Sequence, residues 1–435
     1  MPPTAPSWRI DPGGPLRGDV VVKGSKNAVT KHMVAAMLGR TPSTILNCPA
    51  IGDVDITAGM LRDLGATVEV DGDGSVVVHA PSLETGRVPV TFGGLNRIPI
   101  LLVGPLLHRM GEAFVPLVGG DRIGARPVNY HVRCLEAMGA EVQTTPAGLE
   151  AKATKLHGAR IRLPFPSVGA TETVLLTAAL AEGRTVLENS AIEPEVIELA
   201  LFLQRMGARI ELRPDRRFVI EGVERLDGAR HSLSGDRIEA YSYLVAGLVT
   251  GGRVRVHGCA QDRLVTGIST LHRMGARFEI TDEWVAAEAS DLRPAVVQTD
   301  THPGFMTDWQ SPLVVLFTQC HGLSVLHETL FEGRFPYVAA LQEMGAEVEL
   351  YDSCLGGRDC RFHEGTAVHS AVVRGPTPLH GTEITVPDIR GGFAYVLAAA
   401  AAEGPSLLHD VHHLERGYHR PLEAFEALGL PITRC

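Results

Sequence analysis

Lysine is scarce in this chain of 435 residues: Lys23, Lys26, Lys31, Lys152 and Lys155 are the full set. Three of them fall within residues 22–31, around Gly24-Ser25-Lys26-Asn27. A turn of this kind opening a helix can offer backbone N–H groups and an ammonium to an anion. A solvated helix start is the plain alternative. The stretch lacks the upstream glycine of a Walker A loop. A second candidate is Gly119-Gly120-Asp121-Arg122-Ile123-Gly124-Ala125-Arg126-Pro127. Its glycines permit close backbone approach, and its arginines form forks that suit phosphate or carboxylate. A surface loop with an internal Asp–Arg pair would read the same way.

Thr307-Asp308-Trp309-Gln310 sets one acid among bulky apolar neighbours, where burial would suit it to proton transfer. Thr307 or Asp308 could equally cap a helix carrying residues 313–317. Glu332-Gly333-Arg334, Asp388-Ile389-Arg390 and Glu415-Arg416-Gly417-Tyr418 each put an arginine beside a glycine and an acid. Singly, each could be a surface ion pair of small worth; together they could converge on one anion. Cys354 and Cys360, with His363 following, invite a zinc reading. Their spacing is wider than the usual two to four residues and no second pair follows, so a loop with two thiols is expected and no metal site. Cys48, Cys134, Cys259, Cys320 and Cys435 read as structural.

The elements that must hold these residues repeat. Leu61-Arg62-Asp63-Leu64-Gly65-Ala66 returns in related form with its glycine at Gly139, Gly207, Gly275 and Gly345, and in weaker form at Gly429. The glycines stand 74, 68, 68, 70 and 84 residues apart. The phrase ends a helix on apolar residues, turns through a left-handed glycine and leaves as an alternating strand. Apolar, small-residue segments at 175–181, 244–249 and 396–402 precede a second Gly-to-strand transition. Each unit of about 70 residues therefore reads as β-α-β-α-β-β, too long a period for a solenoid. Six such units suggest two α/β lobes of three, with a ligand cleft between them.

Composition sets the outer limits. Hydrophobic residues make up 45% and charged residues 21%, an ordinary globular profile. The net charge of −10 disfavours generic binding to nucleic acid or a membrane surface, so an anionic ligand needs a local basic pocket. No apolar run reaches the length of a membrane span. Residues 1–6 show no secretory pattern and the seven cysteines no framework spacing, so a reduced, cytoplasmic setting is expected.

Taken in order, Gly24-Ser25-Lys26-Asn27, the Gly119 to Pro127 loop, Pro166-Ser167-Val168-Gly169-Ala170-Thr171, Thr307-Asp308-Trp309-Gln310, Asp388-Ile389-Arg390 and Arg416-Gly417-Tyr418 resemble the UDP-N-acetylglucosamine 1-carboxyvinyltransferase family. The resemblance spans essentially the whole chain. It implies two inside-out, barrel-like α/β lobes of three repeats each, with the active site in the cleft between them. One lobe would be discontinuous, residues 1–25 plus 235–435, carrying Asp308, Arg334, Arg390 and Arg416. The other, residues 26–234, would carry the Asp121 loop as a mobile lid. The implied reaction moves the enolpyruvyl group of phosphoenolpyruvate to a sugar 3-hydroxyl through a tetrahedral ketal, releasing phosphate. No cofactor or metal is implied, and the oligomeric state is left open.

Residue by residue, the resemblance implies that Lys26, Arg126 and Arg416 face the phosphate, and Arg334 and Arg390 the carboxylate. Asp388 and Asn27 would also meet phosphoenolpyruvate, with Asn27 reaching the sugar as well. Asp308 would lie beside the accepting hydroxyl, and Arg97 would be a further active-site arginine. The nucleotide sugar would meet Arg126, Pro127, Val128, Asn129, Tyr130, Phe165, Ser167, Val168, Gly169 and Leu330. Glu193, Asp236 and Arg237 would support closure, and His131 would orient the loop.

Asp121 stands where many members carry Cys. A carboxyl can still donate a proton but cannot be alkylated as a thiolate is, so insensitivity to fosfomycin is expected. Asn129 replaces a usual Asp, Phe165 a frequent Lys and Leu101 an aromatic. These changes bear on the acceptor, and they leave another uridine nucleotide, such as UMP in nucleoside-antibiotic synthesis, as the second reading. A non-catalytic nucleotide-sugar-binding relative is the third, and the retained cations speak against it. The shikimate-pathway synthase shares the implied fold, but its loop differs from the Gly119 to Pro127 pattern.

Overall fold

In the computed structural model, which describes residues 6–121 and 123–435, the recurring phrase ends a helix six times. Its glycines have φ of 101°, 93°, 111°, 102°, 98° and 84° in chain order. In each the glycine takes the left-handed turn and the next N–H reaches back into the helix, as Ala66 does to Leu61 O and Ala276 to Leu271 O.

Each repeat builds one sheet. The described residues form five four-stranded sheets and one three-stranded sheet. The third repeat shows the plan in unbroken order. Strand Arg160–Arg162, helix Val168–Ala178, strand Arg184–Glu188, helix Pro194–Arg205 and strands Arg209–Arg213 and Arg217–Glu221 follow one another. Its first two strands pair in parallel and the other contacts are antiparallel. In the second repeat the parallel edge shrinks to a bridge between Arg87 and Phe114.

Two repeats borrow their first strand from far along the chain. Arg17–Val21 lies parallel to Arg253–His257, and Arg230–Ser232 lies parallel to Ser43–Leu46. The chain divides accordingly into two units. One comprises Met1–Lys23, Arg122–Ala125 and Ser234–Cys435, and the other Gly24–Asp121 and Arg126–Leu233. In the first unit, Trp8–Ile10 completes the last sheet between Ser406–His409 and Ile432–Arg434.

Within each unit three helices are buried on nearly all sides. They are Arg237–Val249, Gln310–Phe317 and Ile389–Ala401 in one, and Lys26–Ala36, Pro99–Met110 and Val168–Ala178 in the other. A helix apolar all round is an interior element. The sheets cover these helices, and their strands alternate between buried and exposed positions, as in Arg253–His257. Each unit has its own apolar core. Side chains cap several inner helices: Ser25 accepts from Asn27 N–H, Ser167 from Ala170 N–H, Asp236 from Ile238 and Glu239, and Asp388 from Arg390 and Gly391.

The marker glycines provide a test within the first unit. A Cβ at Gly429 would meet nothing within 4 Å, whereas one at Gly275 would lie 2.6 Å from Asp291 O. Gly429→Ala should cost about 1–2 kcal/mol from the left-handed backbone alone. Gly275→Ala should cost about 1–3 kcal/mol more from overpacking. Thermal unfolding of the two variants checks the order; equal losses would contradict it.

Candidate active site

The site residues of the second unit cluster at the starts of its inner helices. Lys26 is the first residue of Lys26–Ala36, and its Nζ lies 2.7 Å from Asp53 Oδ2. Its side chain is only 17% exposed, so it is not a solvated helix start. Asn96 Nδ2 approaches the other Asp53 oxygen at 3.4 Å, while Asn96 Oδ1 accepts from Ile98 N–H at 3.0 Å. That turn sets Arg97 just ahead of Pro99–Met110. Asn27 follows Lys26 on the same first turn.

Arg126 adopts φ 42°, and its Nη1 donates to Asp121 O at 3.3 Å. Burial first, then the neighbouring Arg126, pull Arg97 down to about 10. Two guanidinium groups held this close create a demand for an anion. Gly120, at φ 105°, lets the chain pass them; a Cβ there would stand 3.4 Å from both Arg126 Nη1 and Arg97 Cγ. Pro127 and Val128 lead into helix Asn129–Ala137, which carries Tyr130 on its first turn.

His131 Nδ1 lies 2.8 Å from Thr173 Oγ1, and a Cβ on Gly169 would sit 2.8 Å from His131 Cε1. The ring thus packs under the backbone at Val168 and Gly169, with Ser167 capping that helix through its side chain and donating its own N–H to Phe165 O. Burial, then Arg97, push His131 down to about 3. Glu172 was not singled out in the sequence, yet it is buried and raised to about 7 by burial, opposed by Lys31. Glu193 precedes helix Pro194–Arg205 without a side-chain cap and adds to the acidic surroundings of Glu172.

In the first unit the expected helix cap at Thr307 or Asp308 does not form. Thr307–Trp309 is a short 3-10 turn, and helix Gln310–Phe317 has no side-chain cap. Thr307 Oγ1 instead donates to Glu328 at 2.7 Å, and Asp308 accepts from Arg334. Arg390 Nε lies 3.7 Å from the same Asp308 Oδ1. Both guanidinium groups are more buried than the acid, with side-chain exposures of 4% and 6% against 20%. Neither arginine is the surface ion pair that local sequence allowed.

Asp388 spends its carboxylate on the backbone of Arg390 and Gly391, which makes it a positioning residue in this geometry. The Arg390 guanidinium lies 5.1 Å from the Tyr418 ring centroid. Burial opposes its charge, but Tyr418, Asp308 and Asp236 outweigh that and hold it firmly protonated. Arg416 is half-buried near the end of helix His412–Gly417, and its sequence neighbour Glu415 pairs with Arg434. Asp236 is a helix cap, and Arg237 is buried with its guanidinium 5.8 Å from the Trp309 ring.

The support under Asp308 and Arg334 was not legible from motifs. Glu328, fully buried, accepts from Leu330 N–H at 2.7 Å, Phe331 N–H at 3.2 Å and Gln310 Nε2 at 3.4 Å. Gln310 also accepts from Tyr337 Oη, and Ser311 Oγ donates to Arg390 O. Burial raises Glu328. Leu330 therefore enters through its backbone, which also accepts from Arg361. Residues 123–125, counted with this unit, give Ala125 N–H to Glu332 Oε1 at 2.9 Å.

The two-thiol loop differs from its sequence reading. Cys354 and Cys360 are joined by His327 and His369, not by His363, which bonds to Cys360 O. The expectation of no metal site weighed only Cys354, Cys360 and His363, and linear spacing missed the two histidines that the fold brings beside the thiols. Cys48, Cys134 and Cys320 are buried, and burial pushes each up to about 12.

The EPSP synthase (3-phosphoshikimate 1-carboxyvinyltransferase) family description matches residues 10–425. A UDP-N-acetylglucosamine 1-carboxyvinyltransferase of Chlamydia pneumoniae is 44% identical over 427 residues, covering 96% of this chain and 93% of its own. One from Shewanella amazonensis is 39% identical, covering 98% of each. The chain belongs to the UDP-N-acetylglucosamine 1-carboxyvinyltransferase family. Its fold matches the enolpyruvyl transferase NikO from Streptomyces tendae with a TM-score of 0.86 at 26% identity, covering 99% of each chain. It also matches an EPSP synthase from Acinetobacter baumannii at 0.73 and 19% identity, a likeness of fold alone. Among the described residues no helix is long and apolar enough to cross a membrane.

His131 gives a pH test of the buried scaffold. Its folded value, about 3, lies below the unfolded value near 6.5. The unfolded chain therefore binds the proton first, so His131 contributes fully above pH ~6.5 and loses that contribution on acidification toward its folded value. The slope should reach at most about 1.4 kcal/mol per pH unit. In His131→Asn, urea unfolding of the second unit between pH 6.5 and 4 should show a shallower acid loss; an unchanged slope would remove His131 from the account.

Proposed function

We propose that this chain transfers the enolpyruvyl group of phosphoenolpyruvate to the 3-hydroxyl of UDP-N-acetylglucosamine, releasing phosphate, as a cytoplasmic step in peptidoglycan precursor synthesis. The observation that carries the reading is the near full-length match, at 44% identity, to a C. pneumoniae protein named for that transfer. The retained cations Lys26, Arg126, Arg334, Arg390 and Arg416 support it.

In this reading Lys26, Arg126 and Arg416 neutralise the phosphate, while Arg334 and Arg390 take the carboxylate. Asp388 serves by capping the helix that presents Arg390, and Asn27 by contacting substrate from the Lys26 turn. Asp121, as a carboxylic acid, gives its proton to C3 of the enol. The sugar oxygen bonds to C2 as its proton passes to Asp308. In the resulting tetrahedral ketal, C3 then returns a proton to the Asp121 carboxylate as the C2–phosphate bond breaks, restoring the enol ether, and the freed phosphate takes the proton held by Asp308. Charge stabilisation by fixed arginines is the main term such a site can supply. Arg97, Pro127, Val128, Asn129, Tyr130, Phe165, Ser167, Val168, Gly169 and Leu330 would line the nucleotide-sugar side.

A second reading, transfer to another uridine nucleotide, draws on Asn129 and Phe165 and on the likeness to the enolpyruvyl transferase NikO. Incubation with phosphoenolpyruvate and a panel of uridine nucleotides separates the two. Phosphate release and a product of UDP-N-acetylglucosamine plus enolpyruvate are expected; turnover with UMP alone would favour the second. Asp121→Ala should lower kcat by about 10²–10⁴-fold while leaving nucleotide binding nearly unchanged. Full turnover in that variant would reject the proton-donor role. Preincubation with fosfomycin should cause no time-dependent loss of activity, and progressive inactivation would contradict the carboxylate assignment.

A further inference from the structure

Four repeats of this fold close their final hairpin with a short turn, and a fifth does not. The turns at residues 71–75, 146–147, 214–216 and 281–283 join adjacent antiparallel strands directly. Strands Glu347–Tyr351 and Ser370–Gly375 are instead joined by residues 352–369, which contain no helix or strand. This insertion accounts for the longest separation between marker glycines, from Gly345 to Gly429. A loop of this length without regular structure needs something to order it.

The insertion brings Cys354, Cys360 and His369 to His327, the last residue of strand Gly322–His327. One donor atom from each of the four lies within 4.8 Å of the others. The two sulfurs are 3.7 Å apart, and Cys354 Sγ is 3.4 Å from His369 Nε2. A tetrahedral zinc with ordinary bond lengths requires S···S of about 3.8 Å and S···N of about 3.6 Å. A disulfide would require sulfurs about 2.05 Å apart.

The surroundings match a ligand set. His369 Nδ1 lies 2.6 Å from Ala367 O, so its N–H donates there and Nε2 keeps its lone pair toward Cys354. Phe362 N–H donates to Cys360 Sγ at 3.3 Å, which suits a thiolate. His327 is fully buried, and neither ring nitrogen has a hydrogen-bond partner among the described residues. A buried imidazole without a partner is costly, and a metal–nitrogen bond removes that cost. Two thiolates and two neutral imidazoles would also leave a divalent ion with no net charge to bury.

We propose that His327, Cys354, Cys360 and His369 bind one zinc ion in tetrahedral geometry, as a structural staple for the 352–369 insertion. Zinc suits a mixed thiolate–imidazole donor set with no open position. The staple lies outside the residues assigned to substrate, so its test is independent of the transferase reading. It adjoins their support: His327 precedes Glu328, whose N–H donates to His369 O at 2.7 Å.

The test uses the full chain under reducing conditions. Elemental analysis of protein purified without added chelator should find one zinc per chain. After chelation, addition of Co²⁺ alone should give the visible bands of a tetrahedral site and a sulfur-to-cobalt charge-transfer band, both removed by stoichiometric Zn²⁺. Chelation should also expose residues 352–369 to proteolysis, with protection restored by Zn²⁺. Cys360→Ser should weaken zinc affinity by more than the 10–100-fold typical of outer-shell changes, whereas Cys435→Ser, at an exposed cysteine, should not. If Cys360→Ser fails to fold, the cobalt titration of the unmodified chain decides alone. Absence of sulfur-to-cobalt charge transfer, or a Cys354–Cys360 disulfide in freshly purified protein, would overturn the proposal.

Discussion

Three helices in each unit have no side that tolerates water, and this constraint organises the rest. Every residue of Arg237–Val249 is buried, including Arg237 and Glu239. Such helices must be enclosed, and each unit does so with three sheets whose outer faces stay polar. A helix enclosed along its length can meet solvent or ligand only at its ends. Its first turn also leaves N–H groups needing acceptors. The polar residues forced to the starts, Ser25, Ser167, Asp236 and Asp388, satisfy that need, and Lys26, Arg237 and Arg390 stand within two residues of Ser25, Asp236 and Asp388.

Lys26 is held by an acid outside the proposed chemistry, whereas Arg334 and Arg390 pair with Asp308, the acid assigned to it. Asp53 fixes Lys26 and is itself approached by Asn96, the residue that turns the chain at Arg97. Glu328 ties the turn before Gln310–Phe317 to the segment that leads to Arg334. Arginines arranged this way need little reorganisation when charge develops nearby, the condition under which fixed dipoles and cations contribute most to rate. The burial of Glu328 makes its satisfied network stringent, because each partner removed would strand a buried carboxyl.

Much of this was legible in the chain. The Gly-Ala phrase marked all six helix ends because only a left-handed turn allows a sheet strand to leave there, and glycine takes that turn without strain. The repeat plan followed from the same local rules, whereas most of the candidate site residues were named through the family resemblance. What stayed hidden was long-range. Nothing near Asp308 indicates that Glu328 receives its neighbour Thr307, and the cap reading failed because Arg334 claims the acid instead. The spacing of Cys354 and Cys360 gives no metal pattern in the sequence because His327 and His369, which the fold sets beside them, arrive from a strand and from the far end of the loop. Linear motifs report what the backbone does within a few residues; cross-strand register assembles the rest.

The position of Trp8–Ile10 has a consequence for how the molecule comes into being. This strand is hydrogen-bonded on one side to Ser406–His409 and on the other to Ile432–Arg434. Its two partners are the last two strands among the described residues, and a ribosome delivers them long after Trp8–Ile10. The enclosed helix Ile389–Ala401 thus waits, with one wall missing, until synthesis has passed residue 434. The unit running from Gly24 to Leu233 is under no such delay, since all of its strands emerge in the first part of translation. Birth of the protein is therefore staggered: one half can settle while the other remains an unclosed ring, exposed to the cell's holding machinery.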